Sequence, residues 1–391
     1  MTTQSLSGSR RSTRGGVRDD LALLPDRVDV VVIGLGLMGS AATWALTRRG
    51  HEVVALDALE AGHRRGSSHG SSRIFRRAYP QSDYVAMTGR ALELWRELER
   101  AAGTTLLVTT GGLDHGPRRA VRPLLEALRA SGVACTPLSA REVGERWPHL
   151  RLEGDALYHP EAGVIDPEAT MAATARLATG GGARVVREVP VEALEPAAAG
   201  VVVRLSDRVL RARRVVVAAG PWTPKLLAGV IDLPPLTVTE QAVFHFARHD
   251  PDDGSLWPTV IANTGREVYA LPGGRDGGVA GNMKLGEHTP GRVTDPDARS
   301  GRTDLRQRSY VIEHVRRFWP GLAPEPVATY DCLYTRTAND DFVIDRRGAL
   351  VVCSACSGHA AKFAPLIGEW LADLVEGRAL PLGRFSLPPA S

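Results

Sequence analysis

Three sets of residues in this 391-residue chain have types and spacings suited to chemistry. The first is Gly34-Leu35-Gly36-Leu37-Met38-Gly39, a G-x-G-x-x-G turn that leaves the run Val30-Val31-Val32-Ile33 and enters Ser40-Ala41-Ala42-Thr43-Trp44-Ala45-Leu46. Gly34 permits the tight turn, Gly36 lets backbone approach a pyrophosphate, and Gly39 lets helix and strand pack closely, so phosphates can sit at the helix N-terminus. A second strand-like run, Glu52 to Leu56, leads to Asp57, where an acid would hydrogen-bond an adenosine ribose. Strand, turn, helix and acid together read as a dinucleotide site, with FAD and a nicotinamide both open. The second set is Gly66-Ser67-Ser68-His69-Gly70-Ser71-Ser72-Arg73-Ile74-Phe75-Arg76-Arg77-Ala78-Tyr79, a glycine-serine loop with cations three residues apart. Composition alone makes it the solvated start of an arginine-rich helix. The third set is the lysines: of 48 basic residues only Lys225, Lys284 and Lys362 are lysine. Arginine is a planar fork that stays charged, whereas lysine is a compact point charge that desolvation tunes. Each lysine is therefore a residue to question.

These residues need a frame. The β-branched runs read as inner strands of a parallel sheet, in βα units over about residues 28–105. A second such patch, Ala183 to Leu227, contains Val215-Val216-Val217 followed by Ala218-Ala219-Gly220, small residues suited to backbone passing a cofactor. A third runs from a strand at Ala349 to Cys353 through Ser357-Gly358-His359 into a helix at Phe363 to Glu376. Between them, Thr237 to Ala247 and Thr259 to Leu271 alternate and carry prolines and glycines, as antiparallel strands do. The expected fold is α/β plus α+β. A Rossmann-like domain is in three pieces, 28–105, 163–230 and 338–391, and an antiparallel-sheet substrate domain is inserted as 106–162 and 231–337, with a cleft at the interface. Residues 1–27, rich in Ser, Arg and Gly without an apolar stretch, read as a disordered extension, and Arg10-Arg11 makes no convincing export signal.

A net charge of +4 and a pI near 9.0 raise the question of nucleic acid, but the arginines are scattered without a basic stripe or interleaved aromatics. The apolar stretch from Val28 to Thr47 contains three glycines and Asp29, which fits strand-turn-helix better than a membrane span. Four cysteines, Cys135, Cys332, Cys353 and Cys356, do not make a disulfide framework in a chain of this size, so a reducing, cytoplasmic setting is expected. Cys353-x-x-Cys356 has no second pair, and its cysteines read as small hydrophobes rather than metal ligands.

Beyond the dinucleotide turn, the Gly66–Tyr79 segment resembles one in the monomeric sarcosine oxidase and N-methyltryptophan oxidase group of flavin amine oxidases. That family carries a similar Gly-Ser-x-His-Gly-x-x-Arg-Ile-x-Arg-x-Ala-Tyr stretch after its ribose-binding acid. Asp331-Cys332-Leu333-Tyr334-Thr335, Ser357-Gly358-His359-Ala360-Ala361-Lys362-Phe363 and Tyr269-Ala270-Leu271-Pro272 with Gly281-Asn282-Met283-Lys284-Leu285-Gly286-Glu287-His288 are also similar, so the likeness spans about residues 28–385. It implies an FAD-binding domain of the glutathione-reductase type, with Cys332 bonded covalently to the flavin 8α-methyl carbon. Forming that bond needs the Cys332 thiolate, which nearby cations such as Arg73 or the flavin itself would favour. It implies Arg76 and Lys362 on a substrate carboxylate and the Gly358 carbonyl facing the amine. Lys284 matches the lysine that activates oxygen, His288 and Tyr269 match pocket side chains, and Arg73 stands with Lys284 and His288 in the catalytic group. His69, Ser72, Arg73, Val191, Gly220, Tyr334, Gly358 and Lys362 join Gly34, Gly36, Gly39 and Asp57 at the cofactor. Spacing of four puts Lys284 and His288 on one face of either a strand or a helix.

The implied activity is oxidation of the C–N bond of a small secondary amino acid, N-methyl or cyclic, to an imine by hydride transfer to FAD, with O2 becoming H2O2. The implied enzyme is a monomer. Alternatives are a cyclic imino-acid oxidase of a biosynthetic pathway, a flavin dehydrogenase with a protein electron acceptor, a nicotinamide dehydrogenase and a flavin-holding module without catalysis. Ser72 where the family often has threonine, Cys353 and Cys356 in place of small or aromatic residues, and no methionine near Val260 bear on the identity of the amine more than on the reaction.

Overall fold

The computed structural model describes residues 21, 23–119, 121–251, 255–279, 281–288 and 291–389. The Val30–Ile33 run is central to an eight-stranded sheet. With strands β1 to β20 in chain order, its path is β10 (Val191–Ala197), β11 (Gly200–Leu205), β12 (Val209–Val217), β1 (Arg27–Ile33), β2 (Val53–Leu56) and β9 (Arg184–Val186). Strand β20 (Leu350–Ser354) also pairs with β12, and β19 (Val343–Arg347) with β20. The core β20-β12-β1-β2-β9 is parallel, with Val31 between Val215 and Val54. Side chains alternate across a strand, so Val30, Val32, Val53, Ala55 and Val216 join one core with Leu46 of helix α1 (Leu37–Arg48), Leu98 of α2 (Ser82–Ala102) and residues of a C-terminal helix (364–375). On the other face Val31, Ile33, Val54, Val215 and Val217 pack with Leu194, Val203 and Leu210 of the β10–β11–β12 meander. Burial on both faces is why the run lacks polar alternation.

The second sheet has nine strands. Its path is β17 (Arg292–Val293), β13 (Thr237–Arg248), β16 (Met283–Glu287), β15 (Glu267–Pro272), β14 (Thr259–Asn263), β5 (Gly112–His115), β7 (Ala156–His159) and β6 (Thr136–Leu138), with β18 (Leu322–Arg336) also paired to β13. Every pairing is antiparallel except β14 with β5. Leu113, Val260, Ala270, Leu285 and Phe244 share a core with Val311 and Val315 of the 305–318 helix. The strand period of two turns their neighbours Tyr269 and Lys284 to the other face. A small third sheet, β3 (Arg73–Phe75), β8 (Gly163–Ile165) and β4 (Leu107–Thr109), completes the strands.

Two expectations are corrected. The Gly66–Tyr79 segment does not start a helix: its Arg73–Phe75 part pairs with Gly163–Ile165, driven by complete burial of Phe75. Helix α3 (Val121–Ala130) buries Leu124 and Leu128 in a core that holds residues of α2 and Leu157 of β7. Residues 1–20 and 22 of the expected disordered extension lie outside the described residues, but its end is packed: Leu24 is buried and Arg208 donates to the carbonyls of Leu21 and Leu24. Among the described residues, no helix is long and apolar enough to cross a membrane.

Candidate active site

A cavity of about 1080 Å³ runs from the Gly34–Met38 turn past Asp57 to Cys332, Tyr334 and Gly358. Gly34 has φ +91°, and a Cβ on Gly39 would lie 1.7 Å from the Gly34 carbonyl oxygen, so both glycines are required by the turn. Gly39 does not line the cavity; it acts by letting α1 close on the turn. Asp57 accepts from the backbone N–H of Leu35 at 2.6 Å and of Leu59 at 2.9 Å, so the acid also braces the turn it was expected to serve. The Thr335 and Ser354 hydroxyls line this space and lack a hydrogen-bond partner. An elongated cavity with a glycine turn and helix N-terminus at one end and unpartnered hydroxyls further along fits a dinucleotide.

A second cavity of about 120 Å³ is lined by Arg73, Arg76, Tyr269, Lys284, His288 and Lys362, and shares Cys332, His69, Tyr334 and Gly358 with the first. The strand period brings the sheet residues together. Glu267, Tyr269 and Leu271 of β15 face it from alternate positions, and Lys284 and His288 do so from β16 and the residue after it. His288 is anchored by its N–H, which donates to the Glu267 carbonyl at 2.8 Å. Of the expected cofactor residues, Ser72 and Lys362 line only this smaller cavity, whereas Val191 and Gly220 line the larger. The Ser72 hydroxyl is engaged elsewhere, donating to the Gly273 carbonyl at 3.2 Å.

Two of the three lysines are buried here, and Lys225 instead pairs with Asp295 and Asp297 at 2.6 Å. Burial and the nearby Arg73 cation push Lys284 down to about 7, opposed by Asp276, whose carboxylate is 3.7 Å away. Lys362 is held well below its usual range by burial, with Arg76 adding repulsion. Its partners fix its direction. His359 Nε2 faces the Asp340 carbonyl at 2.9 Å and must donate, leaving Nδ1 to accept from the Tyr79 hydroxyl at 3.0 Å. Tyr79 Oη therefore accepts from Lys362 Nζ at 3.0 Å, and Lys362 also donates to the His359 carbonyl. His359 thus orients the lysine through tyrosine, a link invisible in the sequence.

Arg76 stacks 4.5 Å from the Tyr79 ring and donates to the Ala78 carbonyl. Arg73 donates to the carbonyls of Ser67, Ser72 and His69 at 2.8–2.9 Å, which fixes its guanidinium between the two cavities. His69 is pushed down to about 3, by burial first and then by Arg73 and Lys284, and His288 is lowered by burial. Gly358 has φ +73°, and a Cβ there would lie 2.5 Å from the Tyr334 ring and 2.7 Å from His288, so no other residue fits. The expectation that neighbouring cations favour the Cys332 thiolate is corrected in its balance: Arg73 and Lys284 pull the thiol down, but burial outweighs them and holds it up.

Sequence reasoning missed Glu267, Asp276, Tyr79 and the buried Asp114–Arg119 pair, in which Arg119 donates to Asp114 at 2.7 Å and reaches Glu267 at 3.3 Å. The Gly273-Gly274-Arg275-Asp276-Gly277-Gly278 run between two strands signals a hairpin, but nothing in it names Lys284 as the target.

A family model described as FAD dependent oxidoreductase matches residues 29–374. The chain is 34% identical over 377 residues to a monomeric sarcosine oxidase of Streptomyces avermitilis, covering 91% of this chain and 96% of that protein. It is 28% identical to an N-methyl-L-tryptophan oxidase of Yersinia pestis, covering 92% and 98%. The open form of NikD, described as an unusual amino acid oxidase essential for nikkomycin biosynthesis, matches with TM-score 0.83 at 28% identity over 93% of this chain and 98% of that one. The glycine turn, the cavity behind it and these matches together place the chain in the FAD dependent oxidoreductase family.

Proposed function

We propose that this protein is an oxidase of small secondary amino acids, with FAD attached through Cys332 and O2 as electron acceptor. The observation that carries the reading is the burial of Lys284 and Lys362 against one small cavity that also holds Arg76 and touches Cys332. Burying a lysine is costly even when its amine finds partners, and this chain otherwise uses arginine almost throughout, which marks both lysines for a role that arginine does not fill. Similarity to relatives named for sarcosine and N-methyltryptophan supports the substrate class. We further infer a monomeric, cytoplasmic enzyme.

When bound, FAD supplies the hydride acceptor. The chain's own residues do the rest. Arg76 offers a planar fork and Lys362 a point charge to the substrate carboxylate, which fixes the carbon to be oxidised. The carboxylate opposes both influences that lower Lys362, so binding favours its protonated form. The substrate amine must be neutral to release hydride, and the surrounding cations discourage its ammonium form. The Gly358 carbonyl accepts from its N–H, and His288, neutral through burial, faces it without adding charge. Water hydrolyses the imine product, so no protein nucleophile is needed.

The experiment is a screen of the purified protein for peroxide release from sarcosine, N-methyltryptophan, proline and pipecolate. Release from at least one is expected; flavin reduction without oxygen consumption points to a dehydrogenase, and no reduction by any secondary amine overturns the reading. The similarity to NikD, described as an amino acid oxidase essential for nikkomycin biosynthesis, favours a second reading in which the enzyme serves a biosynthetic pathway, and proline and pipecolate test a cyclic substrate for it against the N-methyl class. Arg76→Ala and Lys362→Ala are each expected to raise KM about ten- to a hundredfold, since a hydrogen bond to a charged group contributes roughly 1.5–3 kcal/mol. The double variant should fall short of the product because both act on one carboxylate. Unchanged KM in steady-state kinetics argues against the clamp.

A further inference from the structure

The hairpin between β15 and β16 folds back over the serine loop that precedes β3. Arg275 N–H donates to Ser71 Oγ at 2.7 Å, Ser72 Oγ donates to the Gly273 carbonyl, and Tyr330 donates to the Asp276 carbonyl at 2.6 Å. Asn282 closes the hairpin from inside through donation to the Gly274 and Val279 carbonyls. Held this way, Asp276 presents its carboxylate inward: both oxygens accept from the Ser71 N–H, at 2.7 and 2.9 Å, and one lies 3.7 Å from Lys284 Nζ. The two side chains are 8% and 7% exposed, so water screens their attraction little. Lys284 also donates to the Ser72 carbonyl at 3.3 Å, which aims it along the same loop.

The other titratable groups facing Lys284 come from every element around it, and they leave Asp276 with a single task. Arg73 from β3 is a second cation. His69 from the serine loop and His245 from β13 are both held low by burial and stay neutral, and the Cys332 sulfur of β18 carries no charge, either as a thiol held up by burial or in a thioether to the cofactor. Asp276 stays ionised, its carboxyl held below the usual range by Lys284 and the Ser71 N–H against the effect of burial. Near neutral pH the strongest charge influences on Lys284 are thus one repelling cation, Arg73, and one attracting anion, Asp276, while Arg64, Arg76 and Glu267 line the same cavity. Desolvation and Arg73 both favour loss of the lysine proton, and Asp276 opposes them.

We propose that Asp276 is a positioning residue that keeps Lys284 protonated where oxygen is reduced, which rests on the reading of Lys284 as the oxygen-facing cation. O2 takes two electrons from the reduced cofactor and two protons, and leaves as hydrogen peroxide. The first electron puts a negative charge on dioxygen. A lysine that has lost its proton offers no charge to stabilise it, so the rate of this half-reaction follows the protonated fraction of Lys284 and hence the carboxylate beside it.

With only three lysines in the chain, the holoenzyme labelled with 13Cε-lysine gives few enough signals to follow Lys284 directly by NMR, Lys284→Met supplying its assignment. In Asp276→Asn the Lys284 signal is expected to titrate about one to two pH units lower than in the parent, as befits the loss of a close opposite charge. Asp276→Glu should restore most of it. In stopped flow at pH 8, Asp276→Asn should slow reoxidation about ten- to a hundredfold, because above its midpoint the protonated fraction of a lysine falls about tenfold for each pH unit by which that midpoint drops, and the loss should be recovered as pH falls. In a Lys284→Met background the same substitution should change reoxidation by less than about twofold, because the group it acts through is gone. An unmoved Lys284 titration overturns the proposal, as does an equal loss in the Lys284→Met background, which would mark Asp276 as merely structural. If Lys284→Met reoxidises at the parental rate, the oxygen reading of Lys284 fails, while the NMR titration still decides whether Asp276 holds its proton.

Discussion

Lys284→Met is expected to slow reoxidation of the reduced enzyme by O2 about a hundred- to a thousandfold, the loss typical when one preorganised charge-stabilising group is removed. Methionine matches lysine in length and is apolar, so the buried site on β16 tolerates it without a cavity, and the loss reports charge rather than packing. Lys284 is 5% exposed, so water screens it little and a charge there acts more strongly than on the surface. The sign of the pH dependence follows from its being pushed down to about 7 by burial and Arg73. The protonated, active form predominates below that value and is lost above it, so reoxidation in the parent should fall as pH rises through about 7. In Lys284→Met this dependence should vanish. Stopped-flow mixing of substrate-reduced enzyme with oxygenated buffer measures it, and a parental rate with a parental pH profile refutes the assignment. Reduction by substrate, followed anaerobically, should change far less, because the carboxylate clamp is made by Arg76 and Lys362.

Cys332→Ser should convert FAD from a bound to an extractable cofactor. In the parent, trichloroacetic acid should leave the yellow colour in the pellet; in the variant, the supernatant should carry it. Cys332 is 7% exposed at the junction of the two cavities, and serine is a close isostere, so the fold should survive. The thiolate is the nucleophile in forming such a bond. Burial holds the Cys332 thiol up, and Arg73 and Lys284 pull against that, so Lys284→Met should also slow the attachment. A serine hydroxyl in the same place ionises far less readily. Colour retained in the variant's acid pellet excludes Cys332 as the tether.

Much of the fold was legible because its cause is local. The Val30–Gly39 stretch contains strand, turn and helix start within ten consecutive residues, and burial on both faces of β1 leaves an unbroken apolar run that few other structures produce. The alternating stretches at 237–247 and 259–271 became β13 and the β14–β15 hairpin for the same reason. Composition misled at Gly66–Tyr79. Arginines suggest a solvated helix, but Ile74 and Phe75 are placed by pairing with Gly163–Ile165, almost ninety residues on.

Within the site, the sequence alone determined which residues are chemically capable. The glycine turn, Asp57, the lone cysteine beside Tyr334 and the scarcity of lysine are properties of residue type and short-range spacing, and these are written along the chain. Tertiary structure alone decided what those residues face. Lys284 meets Asp276 across a hairpin, Lys362 is aimed by Tyr79 from 283 positions away, and the Cys332 thiol is held up by burial despite its cationic neighbours. The physical reason is that charge, proton occupancy and direction depend on distance and on the exclusion of water. Both are set only when the chain folds: the β15–β16 hairpin turns Asp276 back towards Lys284, and Tyr79 reaches Lys362 across the molecule.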